Sequence, residues 1–110
     1  MICRGNMIYV CSPFKGDDIE QNIERARRYC RKIAMTGRIP FAPHLYFPQF
    51  LDDAEPQERE RGIDYALKSM WFCSEVWVFG DVISEGMRRE IDHAKKTRKV
   101  VKYFGTEHDL

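Results

Sequence analysis

The stretch Ser84-Glu85-Gly86-Met87-Arg88-Arg89-Glu90 follows the apolar run Val76-Trp77-Val78-Phe79 and the pair Gly80-Asp81. That order reads as strand, short polar loop, glycine and helix, with a carboxylate one turn inside the helix. Backbone N–H donors, a hydroxyl and an acid are thereby gathered at the carboxyl end of a strand, where open α/β sheets bind ligands. The chemistry suggested is a small-molecule site with Glu90 as its working group.

Met87, Ile91 and Ala94 define the apolar stripe of that helix. At about 100° per residue Glu90 falls close to the stripe, whereas Arg88, Arg89, Asp92, Lys95 and Lys96 lie farther round towards solvent. An acid beside a buried face is costly unless it is paired or used. Its place near the helix start favours the ionised form that a nucleophile requires. The alternative is a salt bridge to Lys15 or to an arginine of a neighbouring subunit. Asp81 follows the strand directly and would face the same crevice, as a second carboxylate for the leaving group or as a plain turn residue. Ser84 is an N-cap whose hydroxyl can also help bind phosphate. Glu85 reads as dipole-matched surface. Tyr9 could reach the crevice from the first strand or be a satisfied core tyrosine. His44 could touch a ligand or make a structural hydrogen bond. Tyr46, Phe47 and Phe50 could cover a flat base, bury their own loop or meet a dimer partner.

The elements that must position these groups alternate. Met7 to Cys11 is a short apolar run ended by Ser12-Pro13, a buried strand feeding a loop. Asp17 or Asp18 can cap a helix with apolar positions Ile19, Ile23, Ala26, Cys30, Ile33 and Ala34, closed by Gly37. Ile39 to Ala42 is a short, proline-interrupted strand suited to a sheet edge. From Pro43 to about Glu55 no period is visible, and a loop of roughly a dozen residues reads as a lid or binding loop. Ile63, Ala66, Leu67, Met70 and Trp71 mark a second amphipathic helix. Val76 to Phe79 is the third strand, 85 to 97 the third helix and Val100 to Phe104 the last strand.

Strands alternating with helices predict a parallel sheet covered on both faces. The expected strand order is 2-1-3-4, with the switch point between strands one and three. The loop Ser12-Pro13-Phe14-Lys15-Gly16-Asp17 and the loop from Gly80 to Gly86 then converge on one crevice. The expected class is an α/β, flavodoxin/Rossmann-like three-layer sandwich forming a single domain over residues 1–110.

Composition narrows the function classes. Of 110 residues, 44% are hydrophobic and 32% charged, with a formal net charge of +1, so no global field draws the chain to a nucleic acid polymer or a membrane. Arg25, Arg27, Arg28, Arg31 and Lys32 are spread by helical spacing beside Glu20 and Glu24, as on a solvated face. Cys3, Cys11, Cys30 and Cys73 show no C-x-x-C pair and no zinc-like spacing with His44, His93 or His108. Cys11 and Cys73 read as small buried hydrophobes. No metal and no redox cofactor is expected. Lacking a bilayer-spanning run and a signal-peptide core, the chain is expected in the cytoplasm.

Nearly the whole chain resembles the nucleoside 2-deoxyribosyltransferase superfamily, and especially its short bacterial and phage branch of unknown function. The likeness rests on Ile8-Tyr9-Val10-Cys11-Ser12-Pro13-Phe14, on Pro43-His44-Leu45-Tyr46-Phe47-Pro48, and on Glu75 to Asp81 leading into Ser84-x-Gly86-x-x-x-Glu90. The resemblance implies that Glu90 attacks the sugar C1′ and forms a glycosyl ester as the base departs, with water or a second base taking the sugar. Tyr9 and Asp81 are the expected assistants. Ser12, Pro13, Phe14 and Lys15 of the first loop, with His44 and Tyr46, would contact substrate. Ser84, Gly86 and Met87 would form a phosphate-binding helix start, as in nucleoside 5′-monophosphate N-glycosidases.

The first loop lacks the glycine-rich, arginine-containing pattern of those hydrolases. Asp64 falls about a turn too early for their second acid, and Arg88 and Arg89 replace smaller or aromatic residues. The expectation is an N-glycosidase acting on a nucleoside or, preferably, its 5′-monophosphate. It works without cofactor and within a homo-oligomer, because family sites are completed by a neighbouring subunit. The alternatives are a non-catalytic nucleotide-binding or sensing module, a deoxyribosyltransferase and, more weakly, a flavin or phosphoacceptor protein.

Overall fold

A computed structural model of the chain describes residues 7–14 and 18–110. Strand β1 (Met7–Cys11) is followed by helix α1 (Ile19–Met35), strand β2 (Ile39–Phe41), a single-turn helix α2 (Pro43–Tyr46) and helix α3 (Pro56–Ser69). Strand β3 (Glu75–Phe79), helix α4 (Glu85–Lys96) and strand β4 (Val100–Phe104) complete the alternation. The four strands form one all-parallel sheet in the order β2-β1-β3-β4. The short β2 with its Pro40 does occupy an edge, where a missing N–H removes no ladder bond.

Register sets the two faces. Tyr9 pairs with Val76 and Cys11 with Val78, and these side chains meet Ala66 of α3 and Met87, Ile91 and Ala94 of α4. The alternate residues Ile8, Val10, Trp77 and Phe79 point the other way, against Tyr29 and Ile33 of α1. Both central strands are buried on both faces, which is why they read as unbroken apolar runs rather than alternating ones. Among the described residues no helix is long and apolar enough to cross a membrane.

Helix α1 is capped by Asp18, whose Oδ1 accepts the Gln21 N–H at 2.9 Å; the alternative cap, Asp17, lies outside the described residues. It ends at Gly37, where φ is +90°, a backbone region glycine enters without a Cβ clash. Its buried stripe is Ala26, Tyr29 and Ile33, and the expected members Ile19 and Ala34 are exposed. The helix is rotated so that the Tyr29 ring stacks on Phe79 at 4.2 Å and 10° between planes. That contact outweighs the burial of the two smaller positions.

Two further expectations are corrected. The stretch after Pro43 is ordered into α2 and a 3-10 turn at Phe47–Gln49 rather than an open loop. Pro43 and Pro48 each sit in a first turn, where a missing N–H costs no helical bond. Trp71 is not in the core. A tighter 3-10 turn at Met70–Phe72 ends α3, Met70 stays buried and Trp71 is left 64% exposed.

Candidate active site

Glu90 owes its position to α4. Ser84 caps the helix, its Oγ accepting the Met87 N–H at 3.2 Å. The Met87, Ile91 and Ala94 stripe then presses α4 onto β1 and β3, which turns Glu90 along the edge of that contact. On β1, Tyr9 and Cys11 project from the same face, because side chains two apart in a strand share one side. The Tyr9 hydroxyl donates a hydrogen bond to Glu90 Oε2. The Cys11 thiol lies 3.6 Å from Glu90 Oε1 and 3.8 Å from the Met87 carbonyl. Among the described residues the partners of this carboxyl are thus a phenol and a thiol.

Burial pushes the Glu90 carboxyl up to about 7, against the opposing pull of the Tyr9 and Cys11 hydrogen bonds. Helix-start stabilisation of the anion, expected from sequence, is outweighed by desolvation. Tyr9 and Cys11 are both raised well above their ordinary ranges, by burial first and by the Glu90 charge second. Near neutral pH the carboxyl therefore interconverts between ionised and protonated forms, while its two neighbours stay protonated donors.

The carboxyl opens on a cavity of about 280 Å³ between α4, α3, α2 and the end of β1. Ser12, Phe14, His44, Ser84, Gly86 and Met87 line it, as the sequence reading expected. Ser12 Oγ and His44 Nε2 are hydrogen-bonded at 2.8 Å. Burial lowers His44 to about 4, so it is a neutral ring at physiological pH. A second recess of about 300 Å³ adjoins the first and shares Asp53, Arg59, Glu85 and Gly86 with it. Beyond them Arg89 pairs with Glu60 at 3.1 Å.

Other expected residues stand elsewhere. Asp81 is exposed, does not line the cavity, and its charge acts on Tyr29, which packs against the α1 face of the sheet. Tyr46 is 54% exposed and packs edge-on against Phe47 and Phe50, leaving Phe47 as the aromatic that reaches the cavity. Pro13 packs beside Gly80 instead of lining the cavity. Lys15 lies outside the described residues. Asp64 is tied to Lys68 at 3.0 Å on the surface.

The sequence reading missed the wall that α3 supplies. Glu58, Gly62 and Ala66 face the cavity, with Arg59 and Ile63 beside them. Their four-residue spacing is the available signal. Glu85, read as surface, also lines the cavity. Among the described residues no three His, Cys, Asp or Glu side chains converge as a metal site requires.

Residues 6–104 match the family described as "Domain of unknown function (DUF7768)". No curated protein matches the chain.

Proposed function

We propose an N-glycosidase activity for this chain, which belongs to the DUF7768 family. The observation that carries the reading is the Glu90 carboxyl, held by Tyr9 at the edge of a cavity of about 280 Å³. A carboxyl that ionises near neutral pH, gripped from one side and open on the other, is suited to attack at a sugar anomeric carbon. In its ionised form Glu90 would add to C1′ of a nucleoside as the bond to the base breaks. Water would then cleave the glycosyl ester with overall retention. Tyr9 orients the carboxylate. The aromatic groups Phe14, His44 and Phe47 are placed to pack on a planar base.

For the 5′ end, the start of α4 offers the Ser84 hydroxyl beside Gly86, whose missing Cβ leaves open space. Arg59 lines the same region and makes no ion pair with a described residue. These groups support a nucleoside 5′-monophosphate in preference to the bare nucleoside. Transfer to a second base instead of water would make the protein a deoxyribosyltransferase. The reading also places the protein in the cytoplasm, as a homo-oligomer and without a cofactor.

A second reading, nucleotide binding without turnover, is favoured by one observation: Asp81, the intended second carboxylate, is outside the cavity. Chromatography of free base from nucleosides and 5′-monophosphates tests the two readings, with Glu90→Ala in parallel. Base released by the parent and not by the variant supports the glycosidase. Absence of release from every substrate, with thermal stabilisation by the same nucleotides, replaces it by the binding module.

A further inference from the structure

The charged groups that line the cavity fall into two sets. Arg59, Asp53, Glu85 and Gly86 also line the adjoining recess, so they mark the recess end. Phe14, His44 and Phe47 line the main cavity alone, together with Glu58 and Glu90. Of the described residues that line the cavity and not the recess, those that can carry a charge near neutral pH are Glu58 and Glu90, both carboxylic acids. Ring faces next to carboxylates attract a flat cation and give nothing to a flat anion.

The proton donors around Glu90 and His44 are committed. The Tyr9 hydroxyl and the Cys11 thiol both point at Glu90. Ser12 Oγ is paired with His44 Nε2 at 2.8 Å, and burial keeps His44 an uncharged ring with no acidic proton to transfer. Glu58 Oε1 accepts the Asp52 N–H at 2.9 Å. Asp81, which could have protonated a leaving group, is elsewhere. A neutral purine or pyrimidine departs as an anion unless it is protonated, and Tyr9, Cys11, Ser12 and His44, engaged as they are, do not supply that proton.

We infer that the leaving base of this site is a cationic ring whose glycosidic nitrogen is formally quaternary, as in a pyridinium nucleoside. The inference rests on the glycosidase reading and specifies its substrate class. Glu90 Oε forms a bond to C1′, the C1′–N bond breaks, and its electron pair neutralises the positive ring nitrogen. The base leaves uncharged and no proton is needed. Water then adds at C1′, the ester bond to Glu90 breaks, and the proton of that water is released to solvent. Glu58 and the ring walls hold the cation before the bond breaks and hold the neutral product less strongly. The recess end is free to take a 5′-hydroxyl or 5′-phosphate.

The test compares base release from N-ribosylnicotinamide and its 5′-monophosphate with release from adenosine, uridine, their 2′-deoxy forms and all the matching 5′-monophosphates. Glu90→Ala serves as the blank. The cationic substrates are expected to react at least tenfold faster in kcat/KM than the neutral-base substrates carrying the same 5′ group, and Glu58→Gln is expected to narrow that ratio. Equal or faster release from neutral bases, still dependent on Glu90, overturns the inference and leaves the glycosidase reading standing. No Glu90-dependent release from either class overturns both.

Discussion

Tyr9 and Glu90, 81 positions apart in the chain, are joined by a hydrogen bond from the phenol hydroxyl to the carboxyl oxygen Oε2. The parallel register that sets Tyr9 opposite Val76 and the apolar stripe that presses α4 onto β3 are together what close this distance. The pair makes the Glu90 carboxyl a group of defined orientation whose ionisation is governed mainly by burial.

Base release should depend on the ionised form of Glu90, so kcat/KM is expected to rise with pH and level off above about 7. Tyr9→Phe removes a hydrogen bond that stabilises the carboxylate. The rising limb should then move to higher pH, and kcat/KM at pH 6 should fall by about 10- to 100-fold, the worth of a hydrogen bond to a charged group. A pH–rate series on parent and variant checks this, and carbon-13 NMR of the Glu90 carboxyl reads the same titration without turnover. An unmoved limb in Tyr9→Phe would show that Tyr9 does not tune the acid.

Two half-buried groups should act in opposite directions on stability. Glu90 is raised from 4.5 to about 7 on folding, so the native state holds its proton more tightly and stability falls as pH rises through that window. His44 is lowered from 6.5 to about 4, so the unfolded state binds the proton more tightly and stability falls as pH drops through that window. Between about 4.5 and 6.5 the two slopes, each about 1.4 kcal/mol per pH unit at most, largely cancel. Urea unfolding should find Glu90→Gln losing stability towards acid and His44→Gln gaining it. Parallel pH profiles for both variants would refute the assignment.

Ser84→Ala should cost about 1 kcal/mol through loss of the α4 cap. If the Ser84 hydroxyl also holds a phosphate, kcat/KM for a 5′-monophosphate should fall about tenfold more than for the matching nucleoside. Thermal unfolding and paired kinetics separate the two effects, and an equal loss on both substrates would leave Ser84 as a cap alone.

Asp81→Asn should change base release by less than about twofold and stability by no more than about 0.5 kcal/mol, because its side chain is exposed and outside the cavity. A loss of about a hundredfold or more in kcat with binding intact would return Asp81 to the chemistry.

The apolar runs and helical stripes were enough to read the strands, the parallel order and the edge position of β2. Periodicity also showed Glu90 beside the buried face of α4, because one element and its spacing determine that placement. The loop boundaries were harder. Pro43 and Pro48 look like breakers in sequence, yet each starts a turn. Tyr29 escaped the α1 stripe because an aromatic ring can rotate a helix towards its stacking partner, and that partner, Phe79, is known only from the fold.

What the sequence determined by itself is therefore the α/β alternation, the acid near the start of α4 and the Ser84 cap, all of them properties of contiguous residues. Tertiary structure decided what surrounds that acid: Tyr9 and Cys11 of β1 contact it, and Glu58, Gly62 and Ala66 of α3 line the cavity it shares. It also moved Asp81 away and set Glu90 to titrate near 7. The reason is that desolvation and long-range pairing depend on which surfaces are pressed together, and a spacing along one chain segment carries no record of the opposing wall.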